Sequence, residues 1–398
     1  MSHLLSPRGF KAGAVHAGIK SSSAPDVAML VCDVPASAAA VFTTNKVFAA
    51  PIKIGRQHIA SGKLRGIVVN SGNANACTGR QGEIDAIRMC QLAAKAVNCP
   101  AEQFLPSSTG IIGRLLPMEK IQLGIENTAK NLGNSSAHAE RFSDAILTTD
   151  TRRKTAFARF RAGREWISVA GVCKGSGMIG PRLATHATML AYLTTDARIP
   201  SRLLQKILAG AADISFNAVT VDDHTSTNDT AAILASGLAP AVNTKRLIAS
   251  FTAAMNEVCQ SLAYQIAADG EGATKVVEIN VRQAKTESDA KAIARAIANS
   301  PLVKCAMNGN DPNWGRIVSA AGLCGADFDP DKSELKLQNT VVFKTGRPMP
   351  FDARAVSKSL SAKKVIVDLN CRLGKSSATV WTCDLSREYV TINADYHT

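Results

Sequence analysis

The sequence predicts a layered α/β fold in which strands and helices are mixed without strict alternation. Short apolar, β-branched runs typical of strands recur along the whole chain. Segments with apolar residues three and four positions apart, typical of amphipathic helices, lie between them. Because the two patterns do not alternate one for one, layered sheets and helices are favoured over a doubly wound parallel sheet.

The strand-like runs are residues 28–32, 66–70, 166–173, 189–194, 275–281, 365–369 and 379–383. Helical patterns cover residues 201–212 and 245–268, where apolar side chains fall on one face. Thr286 followed by Asp289 resembles a capping box that opens an alanine-rich helix ending near Asn299.

No low-complexity linker, charge block or repeat divides the chain cleanly. A soft boundary is predicted near residues 272–275, with a catalytic body over residues 1–275 and a smaller α/β subdomain over residues 276–398.

The composition predicts a soluble cytoplasmic protein with a sizeable core. The 398 residues are 46% hydrophobic, and no apolar run reaches the roughly 18 residues of a membrane span. The first residues, MSHLLSPRGFKAG, lack the apolar stretch of a signal peptide. The 10 cysteines show no Cys-x-x-Cys pair and no zinc-site spacing, so reduced thiols are expected and neither a metal nor a bound cofactor is.

The net charge of +14 raises the question of nucleic-acid binding. The positive residues are dispersed, however, and aromatic residues that would stack on bases make up only 5% of the chain. Neither a nucleic acid nor a membrane is therefore expected as a partner, and the basic surface suits small anionic substrates.

Three local motifs are misleading. Residues 175–180 spell a literal G-x-G-x-x-G, but Pro181 and a loop follow where a dinucleotide-binding fold requires a helix. Residues 374–376 resemble the end of a P-loop, but Leu369 stands where the first glycine belongs. The Asp-Asp-His segment at 222–224 suggests metal ligands or an acid–base pair, yet no second ligand cluster accompanies it. An ordinary polar loop is the preferred interpretation there.

The most informative pattern is KGSGMIGPRLATHATMLAYLTTDA at residues 174–197. A glycine-rich loop leads to Thr188, which begins an apolar strand. In self-cleavage a threonine hydroxyl attacks the preceding carbonyl, here that of Ala187, an N→O acyl shift forms an ester, and water releases two chains. A small preceding residue and flexible glycines allow the strained backbone that this attack requires.

Cleavage would leave Thr188 with its own general base. A free α-amine has an unperturbed pKa of about 7.7–8.0, so a useful fraction is neutral near neutral pH. The amine takes the hydroxyl proton directly or through a water and needs no His or Asp partner. On these residues alone, a purely structural threonine stays the alternative.

A series of segments along the chain resembles the glutamate N-acetyltransferase/ornithine acetyltransferase family of arginine biosynthesis. The matching segments, in order, are GFKAGAVHAGIK at 9–20, NSGNANACTG at 70–79, SSTGIIG at 107–113, TTDT at 148–151, KGSGMI at 174–179, TSTNDT at 225–230, DGEGATK at 269–275, DPNWGRI at 311–317 and INADYHT at 392–398.

The resemblance implies the fold of the self-cleaving DmpA-type aminopeptidases and a ping-pong acetyl transfer. An alpha chain of residues 1–187 and a beta chain of residues 188–398 would follow from cleavage, and two of each would form a heterotetramer. N-acetylornithine would acetylate Thr188, ornithine would leave, and glutamate would accept the acetyl group. Whether acetyl-CoA also serves as a donor is left open by the sequence.

The resemblance also implies roles for individual residues. Thr109 and Gly110, expected in a loop, match the oxyanion pair. Lys174 would steady a substrate anion, and Glu271 would bind the cationic amine of ornithine. The residues expected to contact substrate are Thr148, for which Thr149 is an alternative, Lys174, Thr188, Glu271, Asn393 and Thr398.

The chain departs from the family pattern in two places. The family has one Ala-Thr step after the proline, whereas this chain has two, so Thr185 competes with Thr188. Strand register favours Thr188, because the second step runs directly into the strand MLAYLTT. In VDDHTSTNDT, Asp223 and His224 replace a more usual Gly-Asp, which puts the geometry of this loop in question.

Two other classes of protein are alternatives to the acetyltransferase. One is an N-terminal-threonine amidase or aminopeptidase that uses water as the acceptor. The other is a non-catalytic basic binding protein.

Overall fold

The computed structural model describes residues 2–180 and 189–395. The chain forms two compact units, which are described separately. The first comprises the chain up to Asn217 together with His224–Leu262, and the second comprises Ala218–Asp223 together with the chain from Ala263. The division falls within one long helix, earlier than the boundary predicted near residue 275.

The first unit is built on one mixed sheet. In its described part, the strands are β1 (Phe10–Val15), β2 (Val27–Phe42), β3 (Lys63–Asn73), β4 (Phe104–Ile111), β5 (Lys154–Ala162), β6 (Glu165–Lys174), β7 (Leu190–Thr195) and β8 (Thr230–Ala235). Their order is β4-β3-β2-β8-β7-β6-β5, with β1 paired to β2. The β3–β4 and β7–β8 pairs are parallel, and the other pairs are antiparallel.

Helices cover both faces of this sheet. They are α1 (Ala50–Ile59), α2 (Gly79–Ala96), α3 (Met118–Lys130), α4 (Ser136–Ala145) and α5 (Ser201–Asp213), followed by α6 (Lys245–Ala268), which contains the division between the units. In β2, Val27 and Met29 join a core cluster with α2 and α3, whereas Ala28 and Leu30 join one with α1 and α4. Successive side chains of a strand point to opposite faces, so residues 27–32 of β2 are all apolar because both faces are buried there, whereas Asp33 is exposed.

The second unit has a smaller sheet. Its strands are β9 (Val276–Ala284), β10 (Glu334–Leu337), β11 (Thr340–Lys344), β12 (Arg347–Pro348), β13 (Lys364–Asn370) and β14 (Ser376–Cys383), in the order β12-β11-β10-β13-β9-β14. Its helices, as far as the structure describes them, are α7 (Glu287–Asn299), α8 (Pro301–Asn308), α9 (Trp314–Gly322), α10 (Ala353–Leu360) and α11 (Arg387–Asp395). Ile293 and Ile297 of α7 pack with Val277 and Ile279 of β9 in one apolar core.

The predicted layered α/β class is confirmed. Each strand-like run of the sequence coincides with a strand to within one residue, and the two helical patterns correspond to α5 and α6. Thr286 caps α7 as predicted, since its hydroxyl oxygen accepts the Asp289 amide at 3.1 Å. All 10 cysteines are free thiols, with Cys77 and Cys305 exposed. Across residues 2–180 and 189–395, no helix is long and apolar enough to cross a membrane.

Candidate active site

The predicted oxyanion pair lies in a strand and not in a loop. Thr109 and Gly110 are near the end of β4, where Thr109 pairs with Ser71 and Gly110 with Gly72 of the parallel strand β3. The Ser-Thr-Gly composition suggests a turn, but hydrogen bonding between β3 and β4 continues through it. The ladder becomes irregular only at Gly72 and Asn73. The prediction of a loop was therefore wrong, and the pair has a fixed place at a sheet edge.

Gly110 has a backbone that other residues cannot adopt here. Its φ is +130°, and a Cβ on it would lie 2.4 Å from the carbonyl carbon of Gly72 and 2.6 Å from the amide nitrogen of Asn73. The obstacles are backbone atoms, which cannot rotate away as a side chain could. Glycine is required so that β3 and β4 approach this closely.

Buried amide side chains fix the ends of β3 and β4. The Ser108 hydroxyl donates to Asn70 Oδ1 at 2.6 Å. The Asn228 Nδ2 group donates to the carbonyl oxygens of Ala74 at 2.6 Å and Ser108 at 2.9 Å. Asn228 belongs to the TSTNDT segment, but the sequence did not predict that its side chain hydrogen-bonds to the backbone at the ends of both strands. Because these polar groups are buried and satisfied, they hold the backbone around Gly110 rigidly.

Lys174 ends β6 next to the start of β7. It pairs with Leu190 across the antiparallel β6–β7 ladder, and its side chain is only 10% exposed. Met189 precedes β7, and its carbonyl oxygen accepts the Thr230 amide at 2.9 Å. The predicted nucleophile Thr188, its competitor Thr185 and the cleavage residue Ala187 lie outside the described residues. Their assignment stays a prediction from the sequence.

Asp150 forms the centre of a buried charged cluster. Its Oδ1 atom is 2.7 Å from Lys154 Nζ and accepts the Gly175 amide at 2.6 Å. Its Oδ2 atom accepts the Thr148 amide at 3.1 Å and lies 3.8 Å from Lys174 Nζ. One carboxylate thus contacts both Thr148 and Lys174, two residues that the family resemblance assigns to substrate. Asp150 lies in the TTDT segment, but neither it nor Lys154 was predicted to be a site residue.

The Asp150 carboxylate is ionised in the folded protein. Burial alone would raise its pKa, but Lys174 and Lys154, with the hydrogen bonds from Lys154 and the Gly175 amide, lower the pKa of Asp150 to about 2. The side chains of Asp150 and Lys154 are both fully buried. A buried charge pair of this kind is costly to break by removing one partner only.

We expect ionised Asp150 to contribute about 2 kcal/mol to the free energy of unfolding, and this contribution should be lost in acid. The pKa of Asp150 falls from an ordinary value of 3.8 to about 2 on folding. Its stabilising contribution is therefore complete above about pH 4 and is lost as the pH falls toward 2. Urea unfolding of the wild type and of Asp150→Asn at a series of pH values measures this contribution. The difference in their free energies of unfolding should shrink between about pH 4 and pH 2, and a pH-independent difference would contradict the assignment.

Lys20 lies beside Gly72 of β3 and interacts electrostatically with Lys174 and Asp150 of the charged cluster. Three amides of its loop, those of Ala17, Ile19 and Lys20, donate to the buried Asp26 carboxylate. A Cβ placed on Gly72 would lie 3.2 Å from Lys20 Cγ. Burial, opposed by Asp26 and reinforced by the Lys174 ammonium, lowers the pKa of Lys20 to about 8. The first unit thus concentrates positive charge beside its oxyanion-pair strand, which favours an anionic ligand.

In the second unit, Glu271 and Asn393 are in direct contact. The Asn393 Nδ2 group donates to Glu271 Oε2 at 2.9 Å, and Glu271 is 8% exposed. The Tyr389 hydroxyl donates to Asp222 Oδ2 at 3.3 Å. Burial, followed by the negative charges of Asp222 and Glu271, raises the pKa of Tyr389. This cluster is acidic and suits a cationic ligand. Thr398, the other predicted substrate contact near the C-terminus, lies outside the described residues.

The departure at Asp223 has a structural basis. Asp223 has φ of +56°, the left-handed region in which glycine is unstrained. Aspartate is one of the residues that enter this region at modest cost. The loop therefore keeps the backbone conformation that the more usual glycine would favour. Among the described residues, no group of three His, Cys, Asp or Glu side chains is arranged to hold a metal.

Comparisons with known proteins agree over nearly the whole chain. A family model described as the ArgJ family matches residues 11–398. The arginine biosynthesis bifunctional protein ArgJ of Dehalococcoides mccartyi is 46% identical over 401 residues, covering 99% of this chain and 97% of that protein. The protein of the same name from Geobacillus kaustophilus is 44% identical over 402 residues, covering 99% and 96%.

Among solved structures, the chain is similar to ornithine acetyltransferase complexed with ornithine from Mycobacterium tuberculosis. The identity is 36%, the match covers 46% of this chain and 95% of that chain, and the TM-score is 0.43. From the sequence matches, the chain is an enzyme of the acyltransferase class that serves arginine biosynthesis. It belongs to the ArgJ family.

Proposed function

We propose that this chain transfers an acetyl group from N2-acetylornithine to glutamate by a ping-pong reaction on Thr188. The observation that carries the proposal is the position of Lys174. It places a buried cation opposite Leu190, at the start of the strand that follows Thr188. A substrate whose carboxylate is held by Lys174 would have its acyl group near that strand. Family membership supports the same reaction.

Self-cleavage precedes catalysis in this proposal. The Thr188 hydroxyl attacks the carbonyl carbon of Ala187, and the C–N bond breaks as the ester forms. Water then hydrolyses the ester, which leaves a carboxylate on Ala187 and a free α-amine on Thr188. Two such alpha chains and two beta chains would assemble as a heterotetramer in the cytoplasm.

Acetyl transfer then proceeds in two half-reactions. The Thr188 hydroxyl attacks the acetyl carbonyl of N2-acetylornithine while the α-amine takes its proton. Donors at Thr109 and Gly110 stabilise the oxyanion. The C–N bond to ornithine breaks, and the proton passes to the leaving nitrogen. The amine of glutamate attacks the acetyl ester by the reverse sequence. Because the α-amine acts as the base, the proposal requires no metal or bound cofactor.

The roles of the remaining residues follow from their charges. Thr148 and Lys174 bind the polar and anionic groups of the substrate. Glu271, with Asn393, binds the cationic side-chain amine of ornithine, and Thr398 contributes from the C-terminus.

Product analysis tests the proposed reaction. The purified protein is incubated with N2-acetylornithine, with and without glutamate. Formation of N-acetylglutamate and ornithine only when glutamate is present is the expected result. Release of acetate at the same rate with or without glutamate would instead assign the chain to the hydrolases. A third incubation, of acetyl-CoA with glutamate, decides whether acetyl-CoA is also a donor.

We expect Glu271→Gln to raise the KM for N2-acetylornithine about 10–100-fold, because a charge-assisted hydrogen bond contributes about 1.5–3 kcal/mol. Glutamate carries no cationic side chain, so its KM should change much less. Steady-state kinetics with each substrate varied in turn measures the two effects. Glu388→Gln, an exposed acid of α11, is the matched control. An equal rise in both KM values would contradict a role specific to ornithine.

A further inference from the structure

The buried Asp150 carboxylate connects two segments of the first unit, residues 148–154 and residues 174–175. It accepts the amide of Thr148 on one side and the amide of Gly175 on the other, at 3.1 and 2.6 Å. It also faces the ammonium groups of Lys154 and Lys174 at 2.7 and 3.8 Å. All of these contacts lie at one end of strands β5 and β6, since Lys154 begins β5 and Lys174 ends β6.

The two lysines stand in different relations to this carboxylate. Lys154 is fully buried and within hydrogen-bond distance, so it neutralises the carboxylate directly. Lys174 is at 3.8 Å, which is longer than a hydrogen bond. Asp150 therefore attracts the Lys174 ammonium by charge without using its N–H groups. At this distance the carboxylate restrains the Lys174 ammonium electrostatically and does not hydrogen-bond to it.

The charge balance of the cluster supports this reading. One carboxylate faces two ammonium groups, so the cluster has one positive charge in excess, and the nearby charge of Lys20 is offset by Asp26. A buried excess of positive charge is costly unless an anion compensates it. The carboxylate of an amino-acid substrate has the right charge to do so.

We propose that Asp150 is a positioning residue that fixes Lys174 and Thr148 relative to each other, with Lys154 as its charge partner. The inference rests on the proposed function, because Thr148 and Lys174 are taken there as substrate contacts. Asp150 itself touches no substrate. Its effect is on the binding of the anionic end of the substrate.

Four variants separate positioning from a merely structural role. They are Asp150→Asn, Lys154→Met, the double variant D150N/K154M, and Asp144→Asn as a matched control. Asp144 is a partly exposed carboxylate of α4 paired with Arg153. Each protein is characterised by its Tm, by kcat and KM for both substrates, and by calorimetric binding of N2-acetylornithine.

Asp150→Asn is expected to lower the Tm and to raise the KM for N2-acetylornithine at least tenfold. The double variant removes one buried charge of each sign, so its Tm should recover toward the wild-type value. Its KM and its calorimetric Kd should stay raised, because Lys174 still lacks its partner. Asp144→Asn should leave both constants unchanged.

A double variant with a wild-type KM and a wild-type Kd would overturn the proposal, since Asp150 would then serve only as a partner for Lys154. The proposed function fails separately, if the wild type forms no N-acetylglutamate. In that case the calorimetric Kd of the four variants still decides whether Asp150 positions the ligand contacts.

Discussion

Replacing Thr188 by alanine is expected to leave one intact chain of 41.9 kDa on a denaturing gel, where the wild type gives two fragments. Without the hydroxyl neither the N→O acyl shift nor the acetyl ester can form. Acetyl transfer should therefore fall by at least about 10⁴-fold, as it does when other enzymes lose their nucleophile.

The sequence supplies the control, because Thr185 follows Ala184 just as Thr188 follows Ala187. Thr185→Ala should be cleaved and active. N-terminal sequencing of the downstream fragment should give Thr-Met-Leu-Ala. A fragment that begins Thr-His-Ala-Thr, with an intact T185A chain, would move the nucleophile to Thr185.

Gly110→Ala should lower kcat about 10²–10³-fold, which is the usual cost of losing one oxyanion donor. The added methyl would lie 2.4 Å from the carbonyl carbon of Gly72, so β3 and β4 must separate or the Gly110 backbone must turn. Either movement displaces the amide that the proposed mechanism directs at the oxyanion. Single-turnover kinetics with N2-acetylornithine isolates this step.

Gly113→Ala is the matched control for this substitution. Gly113 also has positive φ, at +84°, but a Cβ there would have no neighbour within 4 Å. This variant carries the same type of backbone strain without the clash. It should lose some stability and keep most of its kcat. Equal losses of kcat in the two variants would show that strain, and not the approach of β3 to β4, explains the effect.

The sequence identified the elements whose pattern is local. The apolar runs of β3 and β7 and the periodicity of α5 and α6 are properties of neighbouring residues, and the structure confirms them. The Thr286 cap of α7 is local in the same sense. The loop predicted at Thr109–Gly110 failed because its conformation is decided by a partner strand. Nothing in Ser-Thr-Gly specifies pairing with Ser71 and Gly72.

The charged cluster around Asp150 could not be predicted either, because its members are brought together by strand pairing between distant parts of the sequence. Asp150 faces Lys154 within one segment, but Lys174 and Gly175 reach it only because β5 and β6 form a hairpin. The Asn393–Glu271 contact joins residues 122 positions apart. Family resemblance assigned Lys174 and Glu271 to substrate. It did not indicate which buried groups hold them in place.

The strand order of the larger sheet has a consequence for the proposed cut. β7 and β8 follow the cleavage position in sequence, yet they lie between β2 and β6, which precede it. The beta chain would therefore be inserted into the sheet of the alpha chain, with a hydrogen-bonded seam on each side. Dilution would not separate such fragments, because parting them means dismantling the core itself. The break in the backbone would create a new chain end without creating a dissociable subunit.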